Sequence, residues 1–158
     1  MSLPLIDALL PHQPPMRLLD RLCRYDAQST SSFVRLTETS PFMRHGRVAA
    51  VVALEYMAQC VAAHATLHPG DTANTSSLEA AGAGALPRPR IGYLVGVRQL
   101  DLFVDHFEVG QELLVTVSHV WGGAEGSQFL GKVEHNELVV AKATLTVFAP
   151  NQRPLGEA

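Results

Sequence analysis

Apolar residues crowd into one stretch of this chain. Across residues 48–67, VAAVVALEYMAQCVAAHATL, 16 of 20 positions are apolar and a single carboxylate, Glu55, sits near the middle. The run is too long for an ordinary strand and is rich in Ala, Leu, Met and Gln. It therefore predicts a long helix, covered by other elements on most sides. A bilayer span has similar length, but Glu55, Gln59 and His64 interrupt the run and no second such segment accompanies it, which favours a core helix. On either side the pattern changes to short, strand-like runs. Residues 18–25 and 33–36 predict two strands joined by a turn at residues 26–30. Residues 91–104, 112–120, 127–134 and 138–148 predict four more, separated by turn signals at Val109-Gly110-Gln111, Gly122-Gly123 and His135-Asn136-Glu137.

The connections are polar or proline-rich. Residues 5–10 form a short apolar helical turn, with Ser2 as its N-cap and Pro11 as its stop. Pro11, Pro14 and Pro15 keep the next stretch extended. Ser40-Pro41 breaks the second strand, and Arg44-His45-Gly46-Arg47 leads straight into the long helix. A helix N-terminus of this kind favours a negative oxygen. Residues 68–90, rich in Gly, Ala, Ser, Thr and Pro, read as a flexible surface excursion with one helical turn near residues 78–83, and residues 150–158 as a mobile tail. Two strands, one helix and four strands predict an α+β fold: an antiparallel sheet of about six strands wrapped around one long central helix.

Composition narrows the class. A chain of 158 residues with 47% hydrophobic content fits a single domain, 1–158. A net charge of −3 and no basic run exclude nucleic acid as the expected partner, although ten of the twelve cations are Arg, which suits phosphate and carboxylate contacts. Cys23 and Cys60 have neither metal-ligand nor redox spacing and read as small buried residues in a reducing compartment. The opening MSLPLIDALLP carries an acid and no basic segment, so no secretory signal is expected and the cytoplasm follows, with no membrane partner.

Candidate chemistry centres on Glu55. An ionised carboxylate inside an apolar helix needs a partner or a function. Gln59 lies one turn on and can hold that carboxyl in place, while a structural ion pair with Arg21 or Arg98 is an equal alternative. His64 and His68 have the spacing of two metal ligands, but no third ligand is evident, so no metal is expected. His12, between prolines, reads as a structural hydrogen bonder, and His106, His119 and His135 as surface positions. Gly92 and Gly96 precede no helix and form no dinucleotide fingerprint.

Several motifs now meet. Pro11, His12, Gln13, Pro14, Pro15, Met16, Arg17, Leu18, Leu19, Asp20 and Arg21 are similar without a gap to the Pro-His-Arg-x-Pro-Phe-Leu-Leu-Val-Asp-Arg signature of hot-dog-fold beta-hydroxyacyl-acyl-carrier-protein dehydratases. Glu55, Tyr56, Met57, Ala58 and Gln59 resemble that family's Glu-x-Met-Ala-Gln helix, and Gly96-Val97 with Val109-Gly110-Gln111-Glu112-Leu113 resembles its later strand entries. The family's catalytic His in Gly-His-Phe-Pro falls here on Pro41. Instead His45 lies ten residues before Glu55, and Gly46-Arg47-Val48 resembles the corresponding loop of a divergent branch found in aryl polyene pigment clusters.

The resemblance implies dehydration of a 3-hydroxyacyl thioester on an acyl carrier protein, in fatty acid or polyketide synthesis. The chain would need no cofactor of its own, because the substrate carries the phosphopantetheine. In that frame His45 is the candidate base, unless it is merely a solvated loop imidazole, and Glu55 is the proton donor with Gln59 beside it. The chain near Arg47 and Val48 polarises the carbonyl, and His12 stands in reserve. Arg44, Arg88, Arg90 and Arg98 are candidate contacts for an acidic carrier, and a homodimer is implied. Two rival readings are a hot-dog acyl thioesterase and a non-catalytic hot-dog partner subunit.

Overall fold

The computed structural model describes residues 2–68, 89, 91–123 and 126–150. A short helix α1 (Ile6–Leu9) precedes strands β1 (Arg21–Tyr25) and β2 (Ser29–Arg35). A three-residue strand β3 (Arg47–Ala49) and a 3-10 turn (Ala50–Val52) lead into helix α2 (Ala53–Leu67). Strands β4 (Tyr93–Leu102), β5 (His106–Glu108), β6 (Glu112–Gly123), β7 (Gly126–His135) and β8 (Leu138–Phe148) follow. Six strands form one antiparallel sheet in the order β1-β2-β6-β7-β8-β4, and β3 pairs with β5 in a separate ribbon. This is the expected sheet around one helix.

The apolar run is not helical throughout. Arg47, Val48 and Ala49 pair with Glu108, Phe107 and His106, and α2 proper begins at Ala53. β-branched Val48 suits a strand, and its side chain is fully buried. The bend ahead of it is a tight two-residue turn: Arg44 and Arg47 exchange backbone hydrogen bonds, and His45 and Gly46 both take positive φ, 51° and 74°. That is the geometry of a type I′ hairpin turn, which favours a glycine at its second central position. The predicted N-cap on α1 also differs, since Leu5 stands there with no side-chain cap. The predicted excursion and its helical turn, and nearly all of the predicted tail, lie outside the described residues.

α2 lies on the inner face of the sheet. Met57 and Cys60 are fully buried, as are Leu113, Val115, Val117, Phe129, Val133 and Leu145 from the strands beneath. A Cβ on Gly131 would stand 2.7 Å from Met57 Sδ, so glycine is what lets helix and sheet close here. The Cys60 thiol is pushed up to about 12 by burial, which keeps it a neutral packing group. At the end of the sheet, β4 has only β8 as neighbour. Tyr93, Leu94, Val95 and Val97 on it are exposed, and its pairing with β8 is irregular between Leu94 and Gly96 and between Val97 and Gln99.

Candidate functional site

The proline segment ahead of β1 is tied to α2 through one amide. Gln59 is fully buried. Its Oε1 accepts the Leu18 backbone N–H at 2.8 Å, and its Nε2 donates both to the Met16 carbonyl at 2.8 Å and to Glu55 Oε1 at 2.9 Å. Because the backbone supplies one donor and one acceptor, the amide has a single satisfactory orientation, with its NH2 toward the carboxylate. Gln59 thus fixes the carboxyl of Glu55 and the backbone of the proline segment in one register.

His12 stands on the same segment. Its Nε2 lies 3.8 Å from Glu55 Oε1, with the two side chains 32% and 41% exposed. The Glu55 side chain is therefore not enclosed, as an apolar helix suggests, but sits where α2 meets solvent. His12 Nδ1 is buried and has no hydrogen-bond partner among the described residues. A carboxyl and an imidazole are thus held side by side, both partly exposed, the arrangement that proton transfer at one carbon skeleton calls for.

The other candidate residues scatter. His45 is exposed on its turn, and no contact joins it to Glu55. The turn geometry accounts for Gly46, not for the imidazole at position 45. Val48 belongs to the core, Arg44 and Arg47 are exposed beside the turn, and Arg98 is exposed on β4. Arg88 and Arg90 lie outside the described residues. Neither structural ion pair considered for Glu55 forms: Arg21 instead meets Glu112 at 3.3 Å. His12, read as structural, is the imidazole beside the carboxylate, and its signal lay in the proline-bracketed motif.

The second polar pair of α2 is of another kind. His64 Nδ1 pairs with Thr30 Oγ1 at 2.9 Å. The His64 ring lies 4.6 Å from His68, 6.3 Å from His119 and 5.5 Å from Phe129, centre to centre. His119, expected at the surface, instead packs inward against Phe129 at 5.1 Å. No group of three or more His, Cys, Asp or Glu among the described residues is arranged to hold a metal ion.

Comparison with known proteins places this arrangement. Residues 4–155 match a family model described as ApeP dehydratase, of the ApeP-like family. A chain of the dehydratase heterocomplex ApeI:P from Xenorhabdus doucetiae superposes with a TM-score of 0.79 at 23% identity, covering 96% of this chain and 94% of that one. An HP0420 homologue from Helicobacter felis gives 0.64 at 12% identity, with 96% and 93% covered. A hypothetical thioesterase with coenzyme A from Streptococcus pneumoniae TIGR4 gives 0.59 at 13%, with 84% and 91% covered. At such identities the likenesses speak for the fold alone. No curated protein sequence matches. The family match over nearly the whole chain, carried on a six-stranded sheet around one helix, makes this protein a hot-dog member of the ApeP-like dehydratase family.

Proposed function

We propose that the protein removes water from a 3-hydroxyacyl thioester carried on an acyl carrier protein, giving the trans-2-enoyl thioester. The observation that carries this reading is the Gln59–Glu55–His12 constellation in a dehydratase-family chain. His12 takes the proton from the carbon alpha to the thioester carbonyl. As that C–H pair of electrons forms the double bond, the C–O bond at the beta carbon breaks. The hydroxyl leaves as water with a proton from Glu55, and the proton on His12 later returns to Glu55 through solvent. Gln59 acts through Glu55: it occupies Oε1 as a donor, so the transferable proton belongs on Oε2.

The base is thus His12 rather than His45, because His12 alone of the two lies beside the carboxyl. The Arg47 N–H is taken by the Arg44 carbonyl, so it does not polarise the substrate carbonyl in this reading. A second hot-dog chain on the open edge of β4 completes the assembly. Its exposed apolar side chains support this, because an uncovered edge strand invites pairing. A second copy gives a homodimer. The likeness to a chain of the Xenorhabdus ApeI:P heterocomplex gives weight to a different dehydratase chain in that place. A thioesterase would spend the same carboxylate on directing water at the thioester.

Mass spectrometry of a 3-hydroxyacyl carrier after incubation tests the reading. Loss of one water with the thioester intact is expected. Release of free acid and carrier thiol replaces it with the thioesterase reading, and no change by the chain alone or with a second dehydratase chain overturns it.

A further inference from the structure

A second feature adjoins the proline segment. Met16 and Leu18 give their backbone groups to Gln59, while Pro15, Arg17, Leu18 and Asp20 line a hollow of about 260 Å³. Its other walls are Val34, Arg35 and Leu36 at the end of β2, the turn bearing Thr37, Thr39, Ser40 and Pro41, and Tyr56 of α2.

Tyr56 is the informative residue. It is only 2% exposed, it lines the hollow, and its hydroxyl makes no hydrogen bond among the described residues. Its oxygen is not sealed in with the ring: it meets the hollow, where a ligand can bond it. Burial, helped by the nearby Asp20 carboxylate, pushes this phenol up to about 12, so it stays a neutral donor. The rest of the lining supplies one more unpaired donor. Arg17 enters no ion pair among the described residues, whereas Arg35 meets Glu112 at 3.4 Å and the hydroxyls of Thr37, Thr39 and Ser40 are engaged within their own turn. The only carboxylate in the lining is Asp20, one oxygen of which accepts the Arg35 backbone N–H. The Arg17 guanidinium and the Tyr56 hydroxyl, neither with a partner among the described residues, face a hollow whose one carboxylate already has an oxygen engaged; that suits an oxyanion, and arginine matches phosphate oxygens in geometry as well as charge.

We propose that this hollow binds a phosphate group, and that its source is the phosphodiester of the carrier's pantetheine arm, held by Arg17 with Tyr56 as a second donor. The assignment of the source rests on the thioester reading above; the phosphate chemistry does not. The site is distinct from the arginines expected from sequence to contact the carrier, and it adjoins the Glu55 site through one shared backbone segment.

Calorimetry on the full chain, with no turnover involved, tests it using 4′-phosphopantetheine, pantetheine and inorganic phosphate. Phosphopantetheine should bind about tenfold or more tightly than pantetheine, and Arg17→Gln should erase that preference. Tyr56→Phe, which keeps the ring against Phe107, should weaken phosphopantetheine several-fold without lowering the melting temperature by more than a few degrees. Equal binding of phosphopantetheine and pantetheine, or a preference that survives Arg17→Gln, overturns the proposal. Inorganic phosphate binding that Arg17→Gln abolishes, without any preference for phosphopantetheine, overturns the carrier source and leaves a site for a free phosphate ester. A phosphate preference in a chain that does not dehydrate the carrier-bound substrate sinks the reaction reading instead.

Discussion

Helix α2 carries two polar pairs at the same i, i+4 spacing, and they do opposite things. Glu55 and Gln59 lie toward its start. There a buried amide with every bond satisfied holds a carboxylate that is 41% exposed, with an imidazole 3.8 Å away. His64 and His68 lie toward its end, packed among Thr30, Tyr25, His119 and Phe129. Spacing alone cannot separate a site from a structural polar cluster. What separates them is whether the polar atoms face solvent and a second reactive group, or face the interior.

The contrast is broken most directly at Glu55. Glu55→Gln keeps size and the hydrogen bond to Gln59 but removes the transferable proton. Turnover on a carrier-bound 3-hydroxyacyl substrate should fall by about 10² to 10⁴, with the unfolding midpoint nearly unchanged. Full dehydration by this variant would sink the enzyme reading.

Two histidines sharpen it next. His12→Ala should lower turnover by about 10² or more, and His45→Ala by less than about twofold, in parallel assays. Combining His12→Ala with Glu55→Gln should cost little beyond the worse single change, since groups acting as a unit are not additive. The reverse ranking of the two histidines would return the role of base to the turn before β3.

The helix and the main sheet are legible in the sequence because a long apolar run and period-two strands are strong local signals. The 138–148 strand matches β8 at both ends. The short ribbon of β3 and β5 is not legible. Three-residue strands carry almost no periodic signal, and Val48 is as apolar in a strand as in a helix. Glu55 and Gln59 can be paired from spacing, but not the ties from Gln59 to Leu18 and Met16, which span 41 and 43 residues. The nearness of His12 to Glu55 is hidden for the same reason: the two are far apart in the chain. His45 stands out by sequence position, and the fold holds it exposed on its turn with no bond to Glu55.

Gln59 separates stability from chemistry at the first pair. Gln59→Leu leaves the buried Leu18 N–H and the Met16 carbonyl without their partner, and should destabilise the fold by about 3 kcal/mol in denaturant titration. Gln59→Glu keeps an acceptor for Leu18 but presents a second carboxyl to Glu55. It should retain more stability than the Leu variant, lose most turnover, and move the alkaline limb of the pH–rate profile upward, because a neighbouring carboxyl disfavours loss of the Glu55 proton. If both variants lose stability alike while turnover per folded molecule and the pH profile stay put, Gln59 is only a staple.

The smallest effect belongs to the second pair. Thr30 is fully buried, and its Oγ1 meets His64 Nδ1 at 2.9 Å, so Thr30→Val exchanges a hydroxyl for a methyl of similar shape at the far end of α2. The loss should be about 1 kcal/mol, the usual net worth of such a hydrogen bond plus part of the cost of re-housing the imidazole. For a chain of this size that lowers the melting temperature by roughly 2 to 4 °C. Turnover per folded molecule should not change, nor should the pH dependence of the rate, because nothing at this end of the helix touches Glu55 or His12. A drop in turnover larger than the loss of folded protein would show that the two ends are coupled, and the division drawn between them would then fail.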